Sequence, residues 1–62
     1  MNGEKLKQKM EERKITGYEM ERITGVSQTT ISQIKKGERN NPKILTVKKI
    51  AEALDVRIEE LI

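Results

Sequence analysis

The chain has 62 residues, 37% of them charged, with 13 lysines and arginines against 10 acidic residues and a net charge of +3. That length makes a single domain, residues 1–62, whose small core must come from economical helix packing or a partner chain. It holds neither cysteine nor histidine, which excludes disulfides, cysteine-ligated metals and histidine-assisted nucleophiles.

The remaining carboxylates are scattered over helix surfaces, and no phosphate-cradling glycine loop occurs, so no catalytic residue, metal, cofactor or small-molecule ligand is expected. No apolar run nears the roughly 20 residues that span a bilayer, and no signal-peptide core follows Met1, so the expected compartment is the cytosol. Tyr18 is the one aromatic residue. A platform for single-stranded nucleic acid stacks bases on several aromatics, so that partner fits poorly.

Five short helices are predicted. The first runs from about Gly3 to Arg13 after an Asn2 cap, with Leu6 and Met10 as its apolar stripe. Its row of Lys5, Lys9 and Arg13 reads as a solvated face. The second starts at a capping box, Thr16 with Glu19, turns Met20 and Ile23 inward, and ends at Thr24-Gly25. The third follows after Val26 alone, capped by Ser27, and runs to Lys35 or Lys36 before Gly37. Glu38 to Asn41 form a polar loop, and Pro42 holds Asn41 extended. The fourth runs from about Ile44 to Leu54, with Ile44, Val47, Ile50, Ala51 and Leu54 on one arc. After a turn at Asp55 to Arg57, a short fifth offers Ile58, Leu61 and Ile62. No stretch alternates with a period of two, so strands are not expected.

The informative segment is Gly17 to Lys36, two short helices with almost no loop between them. Such a joint fixes the interhelix angle and lets the second helix project. Ile31 and Ile34 must face the core, which leaves Gln28, Thr29, Ser32, Gln33 and Lys36 on the opposite arc. Each carries a hydrogen-bonding group and none is acidic, in a chain with ten carboxylates. A glutamine can pair bidentately with adenine in the major groove, and short threonine and serine side chains let a helix sit deep there.

The ordered run of Ile15-Thr16, Met20, Thr24-Gly25-Val26-Ser27-Gln28, Thr30-Ile31-Ser32, Ile34, Lys36-Gly37, Asn41-Pro42 and Ile50-Ala51-Glu52-Ala53-Leu54, with Val56 and Leu61, resembles the lambda-repressor-like helix-turn-helix domains of Cro and Xre type. The resemblance covers about Ile15 to Ile62. It implies an all-α, five-helix domain whose second and third helices form the helix-turn-helix. It implies base contacts from Gln28, Thr29, Ser32 and Gln33. Phosphate contacts would come from the start of the second helix (Thr16, Gly17, Tyr18), from Lys36, and from the following loop (Arg39, Asn40, Lys43). The implied partner is double-stranded DNA, a pseudo-palindromic operator bound by a homodimer, and the implied role is a transcriptional regulator, a repressor of bacterial or phage type. An antitoxin or protein-interaction module of the same fold is the alternative.

Two positions depart from the family's pattern. Members often carry glutamine where this chain has Gly17, and that side chain touches phosphate and braces the first glutamine of the third helix. Members usually carry alanine where this chain has Glu21. That carboxylate must snorkel outward or find a basic partner such as Arg22 or Lys35, and it either opens the interhelix angle or adds negative charge near DNA. Tyr18 has two readings, a phosphate contact or a cover over the first helix near Met10. Leu45 is either a scattered exposed leucine or a dimer contact shared with Ile62.

Overall fold

A computed structural model describes all 62 residues, Met1 to Ile62, as four α-helices and one turn of 3-10 helix, with no strand: α1 (Gly3–Glu12), α2 (Gly17–Thr24), α3 (Gln28–Lys35), α4 (Ile44–Leu54) and η1 (Ile58–Leu61). The expected fifth α-helix is therefore only a single tight turn. Four residues suffice to bury Leu61, while Ile62 beyond them stays 64% exposed.

Local chemistry sets the helix ends. The Asn2 side chain accepts from the Lys5 backbone N–H at 3.2 Å and opens α1. In the capping box of α2, the Thr16 hydroxyl accepts from the Glu19 N–H (3.1 Å) and a Glu19 oxygen accepts from the Thr16 N–H (2.9 Å). Such a cap satisfies two of the donors that a helix start leaves unpaired. Ser27 caps α3 by accepting from Thr30 N–H at 3.1 Å. Two glycines close helices in the left-handed region as the sequence suggests, Gly25 (φ 78°) after α2 and Gly37 (φ 80°) after α3. Two further reversals use side chains that bear a Cβ: Lys14 and Asp55, both at φ 56°. Each lets the next residue reach back, Ile15 N–H to Met10 O and Val56 N–H to Ala51 O, both at 3.0 Å.

The core is one cluster: Leu6 and Met10 of α1, Met20 of α2, Ile31 and Ile34 of α3, Ile50, Ala51 and Leu54 of α4, and Leu61 of η1. Met1, Ile15, Val26, Ala53, Val56 and Ile58 close its edges. Two inward assignments are corrected. Ile23 is 53% exposed because Met20 and Thr24, one turn apart, form the inward row of α2. Thr24 can sit there because its hydroxyl donates to Met20 O (2.6 Å) and accepts from Val26 N–H (3.0 Å). Ile44 is 66% exposed because side chains lean toward a helix's N-terminus, and at the first residue of α4 that direction leaves the core.

One close approach holds α1 to α3. α1 packs on α3, and a β-carbon on Gly3 would overlap the Ile34 carbonyl oxygen and stand 2.8 Å from that of Lys35. Only glycine lets the start of α1 abut the last carbonyls of α3. A backbone bond from Asn2 N–H to Leu61 O (2.7 Å) ties the same end of α1 to η1.

Candidate nucleic-acid interface

The turn between α2 and α3 is three residues, Gly25, Val26 and Ser27, and the two helices pack directly on each other. With Ile31 and Ile34 fully buried, the opposite side of α3 must face outward. Gln28, Ser32, Lys36, Thr29 and Gln33 follow one another across an arc of about 140° at 100° per residue. Gln28, Thr29 and Lys36 are exposed and Ser32 and Gln33 half-buried, so one surface brings all five together.

Both glutamines have side-chain partners that sequence reasoning missed. Gln28 Nε2 donates to Glu21 Oε1 at 3.2 Å. Glu21 therefore pairs with neither Arg22 nor Lys35; its partner is a neutral amide on the next helix. Arg39 Nε donates to Gln33 Oε1 at 3.1 Å, while Gln33's backbone carbonyl accepts from the N–H groups of Glu38 (2.9 Å) and Arg39 (3.3 Å). These bonds fold the loop after Gly37 back along the outer face of α3. No sequence pattern signals them, because each depends on the angle between segments.

The residues expected at phosphates fall into two groups on either side of that face. Thr16, Gly17 and Tyr18 form the start of α2. The Thr16 hydroxyl is engaged with Glu19, accepting its backbone N–H and donating to its carboxylate, so the groups left free there are backbone N–H donors. The bond from the Thr16 backbone holds the Glu19 carboxyl below its ordinary range, helped by the Thr16 hydroxyl. Gly17 has open space where a side chain would stand. Tyr18 is 63% exposed and so does not cover Met10, which the core buries without it. Lys7, Lys14 and Lys35, with Glu11, line one shallow depression around Thr16 and Gly17. Lys7, Lys35 and Lys36, with Glu4, line a second depression beside Ser32.

On the other side, Arg39, Lys43 and Lys49 line a cleft with Ser27, Thr30 and Thr46, between the turn and the start of α4. Asn40 is exposed in the same loop, its carbonyl accepting from the Met1 amino group at 2.9 Å. Lys7, Lys14 and Lys49 were not singled out from sequence. A signal existed for the first: Lys7 stands on the side of α1 away from the Lys5–Lys9–Arg13 row, whereas Lys14 follows the helix at a left-handed reversal that a helical wheel does not reach.

That row lies elsewhere and is engaged within the domain. Lys9 pairs with Glu12 (3.5 Å) and Glu60 (3.4 Å), Arg13 with Glu12 (3.6 Å), and Lys5 Nζ donates to Ile62 O (2.7 Å). The Arg57 backbone N–H and then Lys9 hold the Glu60 carboxyl below its ordinary range. No cluster of three potential metal-ligating acids exists, and no helix is long and apolar enough to cross a membrane.

A protein-family model described as helix-turn-helix matches residues 6–61. The HTH-type transcriptional repressor RghR of Bacillus subtilis is 46% identical over 59 residues, covering 95% of this chain and 44% of that protein. The uncharacterized HTH-type transcriptional regulator RghRB of the same organism is 39% identical, covering 95% and 42%. An uncharacterized HTH-type transcriptional regulator of Coxiella burnetii is 40% identical over 48 residues, covering 77% and 22%. The chain thus spans less than half the length of these relatives. No solved structure matches it.

Proposed function

The chain belongs to the helix-turn-helix family, and from that premise we propose that it binds double-stranded DNA sequence-specifically as the reading domain of a transcriptional repressor. The observation that carries this reading is the outer face of α3. It presents Gln28, Thr29, Ser32 and Gln33 with no carboxylate of its own helix among them and only Glu21 of α2 at its edge, between two groups of cations that lie in no ion pair. Hydrogen-bonding side chains on a projecting helix suit base edges in the major groove, and flanking cations suit the two phosphate strands that border it.

In this reading Gln28, Thr29, Ser32 and Gln33 meet bases or neighbouring phosphates. At the start of α2, where Thr16 is engaged in the capping box, the free backbone N–H groups of Gly17 and Tyr18 take one strand, a role helix starts perform for anions generally. Lys36, Arg39, Asn40 and Lys43 grip the backbone beside them. The domain spans 22 × 22 × 19 Å between Cα atoms, so two copies fit on half-sites about 34 Å apart on one face of a duplex. A homodimer on a pseudo-palindromic operator goes with this reading, with Ile44, Leu45 and Ile62 among the exposed apolar side chains available for contact between copies. A cytosolic site of action, with the chromosome, goes with that role. The relatives' names, a repressor and two regulators, support the same reading.

Selection from random duplex DNA at low salt tests it. Enrichment of one symmetric motif is the expected outcome. A pool that stays random, with a stable protein partner recovered instead, would establish an interaction module of the same fold.

A further inference from the structure

We propose that Glu21 and Arg39 are positioning residues that set the two base-facing amides in opposite senses, so that Gln28 reads adenine and Gln33 reads guanine. This rests on the DNA-reading function above and adds what it leaves open, the bases themselves.

The orientations follow from which partners can donate. A carboxylate only accepts, so the Gln28 side chain must turn its NH2 toward Glu21 Oε1, 3.2 Å away. Flipping the amide would set oxygen against oxygen. The pairing requires that the committed N–H be the one anti to Oε1, which leaves Oε1 and the syn N–H side by side. An acceptor beside a donor is the complement of adenine's N6 amino group and N7. Arg39 reverses the case. A guanidinium only donates, so Gln33 must turn Oε1 toward Arg39 Nε, 3.1 Å away. The Gln33 NH2 then points away with both hydrogens free, next to a cation. Two donors in a positive field suit guanine, which offers O6 and N7 as adjacent acceptors, and they reject the amino groups of adenine and cytosine.

The two partners are placed by the fold. Gly17 and Glu21 lie one turn apart on α2, on one face, and the position without a side chain is the one with open space. The brace for Gln28 thus comes from the second turn of α2, not from its first residue. Arg39 is placed by the two backbone bonds from Glu38 and Arg39 to the Gln33 carbonyl.

The test compares selections from random duplex DNA for the wild type, E21A and R39A, with Q28A and Q33A mapping which base pair each glutamine reads. The expected wild-type motif has adenine where Q28A loses its preference and guanine where Q33A does. In E21A, discrimination at the Gln28 pair falls about five- to tenfold, part of what a bidentate contact supplies. Other positions hold, and affinity for mixed-sequence duplex rises as a negative charge leaves the interface. In R39A, discrimination falls at the Gln33 pair. In the free protein, the Gln28 side-chain amide protons shift in the NMR spectrum of E21A and stay put in R39A. A motif unchanged by E21A, or guanine under Gln28, overturns the proposal while the DNA-reading function stands. A wild-type pool that stays random, with the amide shift present, overturns the DNA-reading function and takes the base assignments with it.

Discussion

Both sides of this domain carry lysines and arginines, and they use them differently. Behind, on the α1–η1 side, Lys9 and Arg13 are tied into ion pairs with Glu12 and Glu60, and Lys5 donates to the last backbone carbonyl. In front, none of Lys7, Lys14, Lys35, Lys36, Lys43 or Lys49 lies in an ion pair. Net charge therefore says little about what such a small domain binds. An internal partner neutralises a cation locally, while an unpaired one keeps its attraction for an external anion and can release counterions when a phosphate replaces them. The difference predicts which substitutions move stability and which move binding.

The largest effect is expected where front and back meet. Gly3→Ala drives a methyl group into the Ile34 and Lys35 carbonyls, so α1 must lift from α3. Overpacking of this kind costs about 1–3 kcal/mol. A domain of this size then loses roughly 4–8 °C of Tm per kcal/mol. Thermal unfolding measures it, and a Gly3→Ala protein as stable as the wild type would show that the two helices are not pressed together.

Next comes charge in front. Lys43→Ala with Lys49→Ala removes two cations from the cleft beside the turn. The slope of log K against log salt should shrink by about 1.8, at roughly 0.9 for each phosphate left without its cation. Binding to all sequences should weaken alike, because cations at phosphates position the protein without reading bases. Titrations of specific and mixed-sequence duplexes at several salt concentrations measure both. A slope equal to wild type would mean that this border does not face DNA.

The start of α2 carries a smaller effect, and one that depends on pH. Thr16→Ala removes the hydroxyl of the cap, worth about 1 kcal/mol. Glu19→Gln probes the other half of the box. Its carboxyl is held below the ordinary glutamate value of 4.5, chiefly by the Thr16 backbone N–H. A depressed value in the folded state stabilises fully above that ordinary value, and the contribution disappears as the pH falls through the lowered one. Glu19→Gln should therefore be less stable than wild type at pH 7 and should converge with it in acid, once the pH has fallen through the lowered value. A gap that persisted in acid would point to packing instead of charge.

What the sequence made legible was whatever depends on neighbours along the chain. Asn2, Thr16 with Glu19, Ser27, Gly25 and Gly37 mark helix ends because capping is a matter of three or four residues, and each stands where expected. The reversals at Lys14 and Asp55 carried no glycine to signal them, and each is marked only by the next residue's N–H reaching back into the preceding helix. Ile23 was misread because the inward row of α2 runs through the polar Thr24, and Ile44 because a helical wheel gives a face but does not say that the first residue of a helix leans out of the core. The candidate interface divides in the same way. The polar arc of α3 follows from the burial of Ile31 and Ile34. The bonds from Gln28 to Glu21 and from Arg39 to Gln33 need the angle between segments, which no single segment contains.

The finest test of the comparison lies within α1 itself. Lys7 and Lys9 are two residues apart, so they point about 200° away from each other around the helix. Lys9 is held by Glu12 and Glu60 behind, while Lys7 stands unpaired beside Ser32, Lys35 and Lys36 in front. Lys9→Ala should lower Tm slightly, because exposed ion pairs contribute little, and should leave DNA affinity and its salt slope as they were. Lys7→Ala should do the reverse, with Tm unchanged and the slope smaller by up to about 0.9. Because the two variants remove the same side chain from the same helix, helix propensity and net charge cancel between them. Any difference is then due to the face alone, and two variants that behaved identically in both measurements would erase the distinction between front and back on which the other expectations depend.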